Sequence, residues 1–115
     1  MVQYSRIKNF EYFKSEEDGQ YYFNLLNKED HPACKHDGVL IKSEGYKSKR
    51  GKNVGINSVV KNSKLRRRYV IKQAKDGRWY FILKAGNGKT IGSSPMKDSV
   101  EIVEKNIKLS MRYGY

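Results

Sequence analysis

The chain has 115 residues, 37% of them hydrophobic and 31% charged, and a formal net charge of +12. That length suits one domain with a modest core and excludes two, and the apolar content excludes a wholly disordered chain. No apolar run approaches the roughly 20 residues that span a bilayer, the first residues lack a signal-peptide pattern, and the lone Cys34 closes no internal disulfide, so the expectation is a soluble cytoplasmic protein in one domain, 1–115.

The first predicted strand covers 10–15, short and aromatic, and leads into the turn Asp18-Gly19. A second strand follows at 20–26, where alternation sets Tyr21, Phe23 and Leu25 on a core face and Tyr22, Asn24 and Leu26 on the other. The segment 27–37, "NKEDHPACKHD", reads as a surface loop before a third strand at 39–43. Ile56, Val59 and Val60 form the stripe of a helix, although Gly51 and Gly55 each weaken it by up to about 1 kcal/mol. Residues 64–68 are expected to add a short final strand. The second half begins with a strand at 69–73 and the turn Asp76-Gly77, then a strand at 78–85 with Trp79, Phe81 and Leu83 inward and Tyr80, Ile82 and Lys84 outward. Asn87-Gly88 is a hairpin signal leading to a strand at 89–93. Asp98 as N-cap, with Glu101 three residues on and Val100, Val103 and Ile107 as a stripe, predicts a second helix. A last short strand is expected at 111–115.

The halves resemble each other. "DGQYYFNL" at 18–25 matches "DGRWYFIL" at 76–83 with an offset of 58, and "GVLIKS" at 38–43 matches "GKTIGS" at 88–93 with an offset of 50. The first copy, 1–63, thus carries about eight extra residues, in the loop 27–37, relative to the second, 64–115.

"DGQYYFNL", "GVLIKSEGYKSKRGKNVGINSVVKN" and "DGRWYFILKAGNGKTIGSSPM" together resemble the tandem repeats of the YegP-like family, small bacterial and archaeal domains described as of unknown function. The resemblance implies an α+β fold of two tandem β-β-β-α-β repeats, which form one shared antiparallel sheet with exchanged C-terminal strands and two helices on one face. It implies that a two-copy chain achieves this alone, and it supplies no catalytic residues.

Candidate chemistry is sparse. Gly88-Lys89-Thr90 looks like part of a phosphate-binding loop, but that pattern needs a glycine five positions before Gly88, where Leu83 stands, and a helix afterwards, where a strand is expected. His31, Cys34 and His36 are zinc-ligand types within six residues, with no partner cluster elsewhere, so a solvated loop is expected and no metal or cofactor is assigned. Neither an oriented base beside Cys34 nor a carboxylate pair placed for acid/base work is visible, so no enzyme is expected.

The charge is more informative. Residues 45–75 hold eleven Lys and Arg and no Asp or Glu, whereas 1–44 hold six basic against eight acidic. Two runs stand out: Lys47, Lys49, Arg50 and Lys52 at the start of the first helix, and Lys64, Arg66, Arg67 and Arg68 between the halves. With Tyr22 and Tyr80 as stacking rings they make a candidate nucleic-acid site over 47–68. In an extended segment the three arginines alternate, so about half would share a face. The first expectation is nevertheless a protein-interaction or structural module, because a sheet with open edges and exposed tyrosines suits an interface. The partner is then an unknown protein or nucleic acid, not a membrane, and the chain is a monomer through internal pairing of its repeats or a weak homodimer.

Overall fold

A computed structural model describes residues 3–4, 9–27 and 38–114. In chain order it contains strands β1 (Gln3–Tyr4), β2 (Phe10–Lys14), β3 (Tyr21–Leu26) and β4 (Val39–Ser43), helix α1 (Lys49–Asn62), a 3-10 turn (Arg66–Arg68), strands β5 (Tyr69–Gln73), β6 (Trp79–Lys84) and β7 (Thr90–Ser93), and helix α2 (Val100–Tyr113). The strands form one seven-stranded antiparallel sheet in the order β1-β2-β3-β4-β7-β6-β5.

Register and alternation decide which side of the sheet is core. Phe10, Tyr12, Phe23, Leu25, Ile41, Leu83, Phe81, Ile71 and Tyr69 lie in cross-strand pairs on one face. That face packs against Ile56 and Val59 of α1 and Val103 and Ile107 of α2. Both helices therefore cover the same side. Equivalent contacts recur in the halves: Phe10 meets Phe23 edge-on at 5.8 Å, and Tyr69 meets Phe81 edge-on at 5.2 Å. The Phe23 N–H donates to Ser43 Oγ and the Phe81 N–H to Ser94 Oγ, each at 2.9 Å.

Three expectations are corrected. First, 64–68 and 111–113 are not strands. The Arg68 N–H closes a turn onto the Leu65 carbonyl at 2.9 Å, because the chain must reverse within a few residues between α1 and β5. Residues 111–113 complete α2, with Met111 and Tyr113 packed against the core. Among the described residues no C-terminal strand is exchanged at these segments, and the halves join where β4 pairs with β7.

Second, the third strands correspond at an offset of 51, not 50. Ser43 and Ser94 play the same part, as do the N-caps Ser48 and Ser99. The extra length of the first half is thus seven residues. Each hairpin has a bulge at the equivalent place, between Leu25 and Leu26 and between Leu83 and Lys84, and the slip comes from matching Ile41 to Ile91, whereas the position equivalent to Ile41 holds Gly92. The additional residues, Leu40 and Ile91, both enter the core. Third, α2 is capped by Ser99, whose Oγ accepts the Ile102 N–H at 3.3 Å, rather than by Asp98.

At the 51-residue offset Lys42 and Ser93 are equivalent, and they are also paired with each other. A local dyad therefore passes between β4 and β7. Beside it, Gly92 occupies the position equivalent to Ile41. A β-carbon on Gly92 would lie 2.6 Å from the Lys42 carbonyl oxygen and 2.7 Å from Ile41 Cγ2. One half supplies a bulky side chain, and the other must leave room for it. Gly92→Ala is expected to cost about 2 kcal/mol, the range for overpacking at a closely packed site, read as a lowered urea midpoint with unchanged slope; wild-type stability in that variant would refute the close approach.

Candidate functional site

Lys47, Lys49 and Arg50 are exposed around the first turn of α1, which contains no acidic residue. Lys52, one turn on, departs from its expected role. It is only 4% exposed, and its Nζ lies 3.5 Å from the centroid of the Tyr12 ring. Burial holds its pKa below the ordinary lysine value, with the charge of Lys49 as a smaller contribution. The contact with the ring, worth about 0.5–2 kcal/mol, makes Lys52 part of the packing between helix and sheet. It is not a surface cation.

The second basic run stands at the other end of α1. The helix has 14 residues and is about 21 Å long, so the two runs do not form one patch. Within the second run, Arg66 pairs with Glu104 at 2.8 Å and donates to the Tyr69 carbonyl at 3.3 Å. Arg68 donates from Nε to Asn62 Oδ1 at 3.2 Å. Lys64 and Arg67 are exposed. The 3-10 conformation spreads Arg66, Arg67 and Arg68 by about 120° per residue, in place of the two-sided alternation of an extended chain.

Tyr22 and Tyr80 are on the opposite face of the sheet from the helices. Tyr22 stacks on Phe13 at 5.7 Å and donates its hydroxyl hydrogen to Asp18 Oδ2. That bond to the carboxylate raises the phenol pKa and is the largest cause lowering that of Asp18. Tyr80 stands opposite Lys72 on β5. The sequence-predicted residues therefore divide among three places: the start of α1, the turn after α1, and the uncovered sheet face.

The uncovered face is better organised than its two tyrosines suggested. Register aligns Tyr4, Glu11, Asn24, Lys42, Ser93, Ile82 and Val70 in one row across all seven strands, about 29 Å long. Phe13 and Tyr22 flank the row on one side of the dyad, and Tyr80 and Lys72 on the other. Ile82 is 8% exposed and stands outside the main core cluster, so this face has apolar packing of its own. The alternation in β2 and β5 carried this signal, through Phe13 and Val70.

A shallow depression at one end is lined by Phe13, Lys14, Glu16, Glu17, Asp18 and Tyr22. Asp18 is held ionised by Tyr22 and the Gln20 N–H, the reverse of a carboxyl tuned towards neutral pH for proton transfer. His31, Cys34 and His36 lie outside the described residues. Among the described residues no group of three His, Cys, Asp or Glu is placed to hold a metal, and no helix is long and apolar enough to cross a membrane.

The model of a domain of unknown function, DUF1508, matches residues 16–69 and 74–109. The chain belongs to the DUF1508 family. Each matched stretch contains a β-β-α unit of the fold, β3-β4-α1 in one and β6-β7 with most of α2 in the other. The UPF0339 protein of Photorhabdus laumondii is 36% identical over 88% of this chain and 82% of its own length. The UPF0339 protein YegP of Yersinia pestis is 33% identical over 88% and 84%. Two solution structures share the fold. The E. coli protein of unknown function yegP superposes with a TM-score of 0.74 at 35% identity, covering 88% of this chain and 80% of that one. The UPF0339 protein of Shewanella oneidensis gives 0.76 at 34%, covering 92% and 85%. The YegP-like resemblance is thereby established, and with it an α+β fold of seven antiparallel strands and two helices.

The environment of Lys52 in this DUF1508 member has a measurable consequence. Its lowered pKa means the unfolded chain holds more protons between the folded value and the ordinary lysine value of 10.5. Stability contributed by this group is therefore lost as pH falls through the folded value and restored as pH rises. Relative to Lys52→Met, which keeps the apolar stem, the wild type should gain stability on going from neutral pH towards 10.5. Urea unfolding of both proteins across that range reads the difference; a stability of wild type minus variant that stays flat or falls with rising pH would contradict the assignment.

Proposed function

We propose that this DUF1508 member is a non-enzymatic interaction module that docks a protein partner on the uncovered face of its sheet, and that its two halves are copies of one β-β-β-α unit. The observation that carries the reading is the placement of both helices on one side. A single sheet layer is left with its second face uncovered by any described element, and that face bears Tyr4, Phe13, Tyr22, Leu26, Val70 and Tyr80. Aromatic rings ringed by polar groups are the composition of protein interfaces. The row of Glu11, Asn24, Lys42 and Ser93 through its centre supplies hydrogen-bonding groups of both kinds.

The duplicated unit finds support in repeated details. Asp18 and Asp76 each accept the N–H two residues on, Ser48 and Ser99 each cap a helix, and Tyr21 and Trp79 each make an isolated bridge to the segment before it. A continuous nucleic-acid site along 47–68, the other reading of the sequence, has no such support. Its residues stand at two ends of α1, and Lys52 faces inward.

Placing charge in the aromatic face tests the proposal. A tagged wild-type chain should retain a specific protein from cell extract in about 1 M salt, where the Debye length is about 3 Å and charge attraction is screened. The double variant Phe13→Lys, Tyr80→Lys should lose it while keeping the wild-type circular dichroism. Retention by the double variant, or no salt-resistant partner, would overturn the reading.

A further inference from the structure

The stripes that α1 and α2 turn towards the sheet, Ile56 and Val59 in one and Val103 and Ile107 in the other, fix what their outer sides carry. On α2 the helical period brings Lys105, Lys108 and Arg112 to the outer side, and all three are exposed. Lys61, Lys64 and Arg67 are exposed at the end of α1 and in the turn after it. These groups converge because the helix C-termini meet: Ser63 Oγ donates to the Gly114 carbonyl at 3.0 Å in a buried contact. Lys61, Lys64, Lys108 and Arg112 are thus within about 10 Å, along their own segments, of one shared point. Lys61 and Arg112 are equivalent at the 51-residue offset, so they stand as a dyad-related pair of cations.

Of the acidic groups on α2, Glu104 is engaged by Arg66 at 2.8 Å, and Glu101, in the first turn, stands one turn before Lys105 but about 17 Å along the axis from Arg112. The helix-end carbonyls are also occupied internally. Asn9 Nδ2 donates to the Tyr113 carbonyl, the Tyr69 hydroxyl to that of Ser63, and the Gly114 N–H to that of Ser110. What this end of the helix layer presents outward is positive charge.

We propose that the outer surface of the helix layer binds the phosphate backbone of a double-stranded nucleic acid through Lys61, Lys64, Arg67, Lys105, Lys108 and Arg112. This surface is opposite the proposed protein-docking face and does not depend on it. A duplex carries one negative charge per about 1.7 Å of axis and matches a dense field of cations. The layer also lacks a platform for unpaired bases. Its exposed large apolar residues are Val54 and Ile102, and the ring nearest the cations, Tyr113, is half-buried with Arg112 at 5.7 Å. Single-strand binders rely on exposed stacking rings, so the geometry selects backbone contact.

Fluorescence anisotropy with a labelled duplex of about 20 base pairs and with its single strand, at about 50 and 200 mM salt, tests the proposal. The triple variant Lys61→Ala, Lys108→Ala, Arg112→Ala should bind the duplex at least about tenfold more weakly and lower the salt slope by about 3. The triple Lys42→Ala, Lys72→Ala, Lys84→Ala removes equal charge from the sheet face and should stay within about threefold of wild type. Lys61→Arg, Lys108→Arg, Arg112→Lys keeps the charge and should bind as wild type, which separates loss of contact from loss of fold. Equal losses in the two alanine triples would reduce the effect to net charge and overturn the proposal. Failure of the wild type to bind duplex, or tighter binding of the single strand, would overturn it as well.

Discussion

The approach of β4 to β7 is the constraint on which the rest of the molecule depends. These strands join the halves of the sheet, and their register is short: Lys42 opposite Ser93 and Ser43 opposite Gly92, extended by a 3.4 Å bond from the Glu44 N–H to the Ile91 carbonyl. So few pairs would be marginal in isolation. They persist because the helices bridge the seam, α1 lying on β3, β6 and β7 and α2 on β6, β4 and β3. Opening the seam would expose the side chains that both helices bury. The dyad also explains an asymmetry in composition: close to a symmetry axis two equivalent bulky residues compete for one volume, and the pair Ile41 and Gly92 resolves that competition.

The same dyad organises the helix layer. Ser63 and Gly114, equivalent by the 51-residue offset, are bonded to each other where the helices end. On either side the residue before the leading strand of a half ties down a helix end. Asn9, in the left-handed region at φ 75°, donates to the Tyr113 carbonyl, and Arg68 donates to Asn62 Oδ1. Each helix thus ends against the start of the half to which it does not belong in sequence, so the halves interlock through their helices. Tyr69 strengthens this junction: its ring is in the core, its hydroxyl hydrogen goes to the Ser63 carbonyl, and burial raises its pKa.

Much of this was legible in the chain, and the limits were physical. Alternation at Tyr21, Phe23 and Leu25 and at Trp79, Phe81 and Leu83 placed β3 and β6 with the correct inward faces, and Asn87-Gly88 marked the hairpin. The stripe Val103 and Ile107 located α2. The shared Gly, Ile and Ser of "GVLIKS" and "GKTIGS" drew the third strands one residue out of step, because the position equivalent to Ile41 holds Gly92. Gly55 counted against α1 because propensity describes an isolated helix. In the fold its missing side chain admits the Tyr46 ring, which stacks on Phe23 at 5.9 Å. Lys52 was read as a surface cation because charge alone does not show that a long stem can lie across a neighbouring ring.

The cations illustrate a further limit of linear reading. Along the chain, the basic excess is concentrated in 45–75, while α2 looks mixed because Glu101 and Glu104 interrupt it. Folding redistributes that pattern. Arg66 neutralises Glu104, Lys52 is drawn inward, and the helix ends that carry Lys108 and Arg112 and Lys61 and Lys64 meet. Like charges crowded together destabilise a compact state through mutual repulsion, and a domain this size could have dispersed them over both faces. Cations in the last turn are favoured by the helix dipole, which accounts for Lys61 and Arg112 individually. The dipole effect fades within that turn and does not reach Lys105, so helix capping does not account for the concentration as a whole.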